Sequence, residues 1–258
     1  MKQSARRWMA ALLLPLLAAA CGDARAASLH VAPLRVVLTS DHRVASLTLG
    51  NSDNTEVAVQ VEVLAWSQRN GEDVYEPTRD VLVNPSIFRV PGRGQQIVRL
   101  GLQVPPTDTE RSYRVFLQQL PGDQALPQDA GGGARLQTLL RIGLPVFVPA
   151  ITARQDLQWR LVSIAPAAPD GATHLLSIDN RGTQHLQLTR LVLRREEGDE
   201  QLRKNLSRYV LAGQSAGIAL DLSAFPPDTP LLLEPASDAP SPLPAVLLRV
   251  PRADTAVH

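Results

Sequence analysis

Residues Gly131 to Pro149 read GGGARLQTLLRIGLPVFVP: a glycine run, a long strand-like segment with basic residues among aliphatic ones, and a proline stop. Side chains alternate across a strand. Ala134, Leu136, Thr138, Leu140, Ile142 and Leu144 therefore share one face, and Arg135, Gln137, Leu139, Arg141 and Gly143 share the other. A strand resting on its own core needs only one apolar face, so leucines on both faces predict a second cover, with another protein as the expected one.

The rest of the chain has the same texture. Runs at Leu29 to Leu38, Val44 to Asn51, Val57 to Ser67, Val81 to Val83, Ile87 to Val90, Gln95 to Leu102, Ser112 to Leu120 and Arg135 to Val148 give about seven or eight strands, the number of an immunoglobulin-like sandwich. Turn chemistry separates them at Ser40-Asp41, Asn51 to Asn54, Asn70-Gly71 and Pro91-Gly92. Asn70-Gly71 is a strong hairpin signal. Beyond Pro149 the pattern resumes at Leu157 to Ile164, His174 to Asp179, Leu186 to Arg194, Ser207 to Leu211, Gly217 to Leu222, Leu231 to Glu234 and Val246 to Val250. Prolines from Pro226 to Pro244 break up its last third. The expectation is an all-β protein of two immunoglobulin-like β-sandwich domains in tandem, residues 27–148 and 149–258, with a long Gly/Pro/Gln connection at Pro121 to Gly133.

The N-terminus gives an address. Lys2, Arg6 and Arg7 precede an apolar run from Trp8 to Ala20, too short to span a bilayer comfortably, and Ala24-Arg25-Ala26 offers a small-residue cleavage site. Residues 1–26 read as a signal peptide. Leu17-Ala18-Ala19-Ala20-Cys21 leaves open a lipoprotein signal with Cys21 as the lipid-bearing terminus. Cys21 is the only cysteine, so the folded part must rely on packing without a disulfide.

Composition narrows the function by exclusion. A net charge of +1 argues against a nucleic-acid reader. There is no glycine-rich phosphate loop, paired-cysteine ligand set or H-E-x-x-H spacing, and the five histidines, His30, His42, His174, His185 and His258, are scattered. Ser86 and Ser112 lack a nucleophile-elbow context. The chain is expected to be no enzyme and to use no cofactor or metal. Trp66, Phe88, Tyr113 and Phe116 are read as core or core-edge residues.

Four motifs in order carry a resemblance: Val31-Ala32-Pro33-Leu34-Arg35-Val36-Val37-Leu38; Asn84-Pro85-Ser86-Ile87-Phe88-Arg89-Val90-Pro91-Gly92 with Gln95-Gln96-Ile97-Val98-Arg99-Leu100; Glu110-Arg111-Ser112-Tyr113-Arg114-Val115-Phe116; and Leu144-Pro145-Val146-Phe147-Val148-Pro149. Together they resemble the periplasmic pilus chaperones of the chaperone–usher pathway, and Asn180-Arg181-Gly182-Thr183 matches the family's second domain loosely. The resemblance implies two domains at a boomerang angle, with the last strand of the first lent to an incomplete pilin subunit by β-augmentation. Leu136, Leu140 and Ile142 would fill the subunit's groove, with Leu139 joining them only if a bulge swaps the faces. Arg35 and Arg141 would grip the subunit's C-terminal carboxylate, a geometry that suits the guanidinium fork. Arg99 and Glu110 match an ion pair that orients the domain junction. The implied partners are pilin subunits and an outer-membrane usher, with no nucleic acid and no small-molecule substrate. Self-association is the alternative cover for the exposed strand. A surface adhesion component or a lipoprotein binding module is the competing function, but the mature chain enters its first strand almost at once, without a donor extension.

Overall fold

The structure is a computed structural model that describes residues 29–121, 138–164, 171–195 and 201–252. All regular elements among them are strands. Those preceding Pro149 are β1 (Leu29–Ala32), β2 (Val36–Val37), β3 (Val44–Asn51), β4 (Val57–Arg69), β5 (Glu72–Pro77), β6 (Val81–Asn84), β7 (Ile87–Val90), β8 (Gln95–Leu102), β9 (Arg111–Gln119) and β10 (Arg141–Val148). The later ones are β11 (Leu157–Ser163), β12 (His174–Asn180), β13 (Leu186–Arg195), β14 (Gln201–Val210), β15 (Ser215–Leu220), β16 (Pro230–Ser237) and β17 (Val246–Arg249).

Alternation builds the first sandwich. Val57, Val59, Val61 and Val63 of β4, Tyr113, Val115 and Leu117 of β9, and Leu144, Val146 and Val148 of β10 point inward from a sheet ordered β2-β10-β9-β4-β5, with β7 also on β4. They meet Leu47, Leu49, Val98 and Leu100 from the facing sheet, ordered β1-β3-β8-β6. The second sandwich packs a β11-β12-β15 sheet on a β14-β13-β16-β17 sheet around Leu176, Ile178, Leu188, Leu191, Leu193, Leu231 and Leu233. Two β-sandwiches in tandem is the expected fold class, and the structure has it.

The two sandwiches share a turn. Asn51 donates from Nδ2 to the carbonyls of Thr55, Val90 and Pro91 and accepts from the Asp53 N–H at 3.0 Å. Asn180 does the same with Gln184, Val210, Leu211 and Gly182. Each amide satisfies buried backbone groups at a corner, where an apolar side chain would leave them orphaned.

Three segments differ from the sequence reading. β5, with the sequence EDVYEP, is an edge strand whose side chains are exposed or half-exposed, so no apolar alternation announces it beyond the Asn70-Gly71 turn. β14 begins at Gln201, six positions before the expected start at Ser207, because this mostly exposed edge strand carries Arg203, Lys204 and Asn205. The prolines of the last third do not break β16: Pro230 opens it, and Pro235 lies beyond its pairing with β17, where the missing N–H costs no ladder bond.

Candidate functional site

The outward face of the larger sheet of the first sandwich decides what the molecule can do. On β4 the buried positions switch from Val57, Val59, Val61 and Val63 to Trp66 and Gln68. The strand does not bulge there; its outward face has reached the second domain. Trp66 and Phe147 pack with Leu211, and Tyr209 sits edge-on to Trp66 at 5.2 Å. The apolar residues on both faces of the 144–148 stretch thus have two covers: Leu144, Val146 and Val148 rest on the first core, and Phe147 rests on the second domain of the same chain. The expected foreign protein is not what covers this part of the strand.

The junction is fastened by polar groups as well. Gln68, 7% exposed, donates from Nε2 to Asp73 at 3.0 Å and to the Tyr209 carbonyl at 3.1 Å, and accepts the Leu211 N–H at 3.0 Å. Arg208 donates to the carbonyl of Gly71 at the β4–β5 turn, 2.6 Å away. Gly71 and Asn70 adopt positive φ, which Asn-Gly tolerates and most residues do not. Glu110 donates its N–H to Thr183 at 2.8 Å, and its carboxylate meets the backbone N–H and Nδ1 of His185 at 3.0 and 2.7 Å. The His185 ring stacks on Phe147 at 3.7 Å. The expected Arg99–Glu110 ion pair is therefore corrected: Glu110 takes His185, while Arg99 lies exposed on β8 between Ser46 and Asn84, in the other sheet.

Arg35 stands at this junction, one residue before β2. Its guanidinium lies 5.7 Å from the Phe147 ring and 6.0 Å from that of Tyr209. Nη2 donates to Gln187, to the Tyr209 hydroxyl at 3.2 Å and to Asp238, all from the second domain. Burial by itself would lower the pKa of Arg35, but the bonds and charges of Tyr209 and Asp238 outweigh it, so the net shift is upward and the group stays charged. Leu34 and Val37 beside it are 70% and 49% exposed, an apolar rim around a cation.

Arg141 is elsewhere. It bonds Glu62 at 3.1 Å and lies 4.0 Å over the Phe116 ring, whose residue pairs with Gly143. Four positions of strand, roughly 13 Å at about 3.3 Å each, separate Gly143 from Phe147. The structure does not bring Arg141 and Arg35 to one carboxylate. A different arginine stands nearer Phe147 along the sheet. Arg114 pairs with Pro145, sits 4.8 Å over the Trp66 ring, and has buried Nε and Nη1 atoms with no hydrogen-bond partner. A Cβ on residue 143 would stand 2.9 Å from the Phe116 ring and 3.3 Å from Arg114 Nε, so Gly143 lets both side chains lie across β10. Sequence reasoning missed Arg114, yet alternation carried the signal: Ser112, Arg114, Phe116 and Gln118 interleave with Tyr113, Val115 and Leu117. The same parity corrects one aromatic reading: Phe116 faces outward. Trp66 is buried as expected, in the cluster at the junction, and Tyr113 and Phe88 pack with the first core. Tyr113 donates to Asp80 at 2.8 Å, and burial together with that carboxylate raises its pKa strongly.

The strand expected to be lent is open where it matters. β2 pairs with β10 only at Val146 and Phe147, extended by the Leu38 N–H to the Phe147 carbonyl. Among the described residues no strand pairs with Arg141 to Pro145 on that side. Leu139 is 39% exposed, Leu140 is half-buried, and Ile142 packs partly on the first core. Ile142 thus shares the inward parity of Leu144, as alternation predicted. Leu136 lies outside the described residues.

Among the described residues no group of three or more His, Cys, Asp or Glu is placed to hold a metal ion, and no helix is long and apolar enough to cross a membrane. No curated protein matches the chain. Residues 28–150 match the family model described as pili and flagellar-assembly chaperone, PapD N-terminal domain. Solved structures share the fold. The chaperone–tip adhesion subunit pre-assembly complex CsuC–CsuE, from archaic chaperone–usher Csu pili of Acinetobacter baumannii, matches with a TM-score of 0.62 and 17% identity, over 86% of this chain and 98% of that one. The E. coli chaperone DraB matches at 0.55 and 18%, over 86% and 96%. The Salmonella enterica SafA pilin–SafB chaperone complex matches at 0.56 and 16%, again over 86% and 96%. Residues 28–150 are thus similar to the N-terminal domain of the pili and flagellar-assembly chaperones, and the chain shares the two-sandwich fold of solved pilus chaperones.

Proposed function

We propose that this protein holds a pilin subunit by lending it the free edge of β10 and delivers it to an outer-membrane usher. Residues 1–26 act as the export signal, residues 27–148 as the lending domain and residues 149–258 as the second domain, working in the periplasm without catalysis. The observation that carries the reading is the edge from Arg141 to Pro145, which no strand pairs among the described residues and which ends beside the charged Arg35. Backbone groups of that edge would bond the subunit's strand, while Leu136 and Leu140 fill its groove; Ile142, also expected there, is held partly on the first core. Filling that groove removes apolar surface and an open edge that would otherwise template aggregation.

Arg35 takes the subunit's C-terminal carboxylate. Arg114, with donors still free near Pro145, supplies the second cation from the neighbouring strand. Arg141, with Glu62, meets the subunit further along the lent strand. The test is co-expression in the periplasm with candidate pilins. Wild type yields a stable complex, and Arg35→Ala loses about 2–5 kcal/mol of binding, at least roughly 30-fold in affinity, while remaining folded. Wild-type complex yield from Arg35→Ala would remove the assignment, and the same measurement on Arg114→Ala against Arg141→Ala decides which is the second cation.

A further inference from the structure

We propose that Asp238 is an internal stand-in for the subunit's carboxylate, occupying the Arg35 site until a carboxylate ligand displaces it; this rests on the reading of Arg35 given above. The argument begins with donor counting. A guanidinium clamps a carboxylate bidentately either end-on, through both Nη atoms, or side-on, through Nε and Nη2. Both modes need Nη2. That nitrogen has two N–H groups, and three acceptors of the second domain already meet it: Gln187 Oε1, the Tyr209 hydroxyl and Asp238 Oδ2. An incoming carboxylate cannot be clamped until one of them leaves.

Asp238 is the one able to leave. Tyr209 is wedged between Trp66 and Phe147, with its backbone held by Gln68. Gln187 lies within β13 and also donates to Ser207 at 3.3 Å. Asp238 follows the last residue of β16 on an exposed turn, its N–H bonded to the Gln187 carbonyl at a long 3.3 Å and its side chain 27% exposed. It is also the one acceptor that repels a second carboxylate, because two negative groups against one guanidinium disfavour each other. Released from Arg35, its charge returns to water at little desolvation cost. The exchange is of like for like: one carboxylate leaves a cation as another arrives. The unloaded protein thereby keeps its cleft cation satisfied, and Asp238 is in place to reclaim Arg35 when the subunit departs.

Acetate, with acetamide as its neutral counterpart, probes the exchange on purified mature protein. The readout is the Arg35 Nε–Hε resonance, assigned by its loss in Arg35→Lys. Acetate should shift this resonance in wild type and, at about tenfold lower concentration, in Asp238→Ala, because removing the competitor restores the competent fraction of sites. Acetamide should be silent in both. Asp238→Asn, which keeps the shape without the charge, should fall between them. Equal or weaker acetate binding in Asp238→Ala than in wild type overturns the stand-in and leaves the carboxylate site standing. An Arg35 resonance that ignores acetate in every variant overturns the carboxylate site itself, and the stand-in with it.

Discussion

The two halves of β10 share one strand and one alternation but not one environment. From Leu144 to Val148 every residue is buried, the even positions in the first core and Phe147 against Leu211, Tyr209 and His185 of the second domain. From Arg141 to Gly143 the strand is exposed or half-buried, and its outer edge carries no partner among the described residues. The chain that makes the first half a structural member leaves the second half available. The difference comes from what lies alongside: β2 pairs with Val146 and Phe147 and no further, and the second domain packs on Phe147.

The sharpest way to break that contrast is to place a charge on each half. Val146→Asp, at a position 0% exposed, should destabilise the first domain by about 3–5 kcal/mol, since an unpaired carboxylate would sit in a closed apolar core. Leu140→Asp should cost under about 1 kcal/mol because its side chain is only half-buried, yet it should abolish subunit capture. Melting curves of the two purified variants decide this, and equal losses would mean that the strand is uniformly structural.

A smaller effect tests the cover over Phe147. Gln68→Ala removes the acceptor of the Leu211 N–H and the donor to the Tyr209 carbonyl, so about 1–3 kcal/mol should be lost. The loss should fall on the coupling of the domains, splitting one calorimetric transition toward two. An unchanged single transition would show that Gln68 contributes nothing to the junction.

The smallest expected effect concerns the second domain alone. Burial lowers the pKa of His174 from its ordinary 6.5, with the Pro251 carbonyl and Asp221 opposing only in part. The folded state then binds the proton less readily than the unfolded one. The stabilisation is complete above about pH 6.5 and declines as pH falls from there toward the lower folded value. Thermal stability of wild type should therefore fall more steeply on acidification than that of His174→Gln, and parallel profiles would refute this.

Much of β10 was legible before any coordinates. Leu144, Val146 and Val148 against Arg141 and Gly143 give the parity of the strand, and apolar residues on both faces demand two covers. What alternation could not supply was the identity of the second cover, because Leu211 and Tyr209 lie more than sixty positions from Phe147 in the chain. The same limit hid Glu110–His185, whose partners are 75 residues apart, and Arg35–Asp238, which no local pattern links. Arg114 is a different kind of miss: its outward parity was visible, but only the Trp66 ring beneath it and its two buried nitrogens without a hydrogen-bond partner mark it out. β5 escaped because a polar edge strand writes no periodicity into its sequence.

The fastening of the junction bears on entropy. Gln68, Arg208, Glu110 and Arg35 each tie one sandwich to the other, so the walls of the cleft are set relative to one another before anything enters it. Two domains swinging on a loose linker would have to surrender that freedom at the moment of capture. Here the loss has already been met during folding. A partner entering this cleft gives up its own tumbling and the rotamers of the side chains it touches, and a correspondingly larger share of each contact survives as affinity.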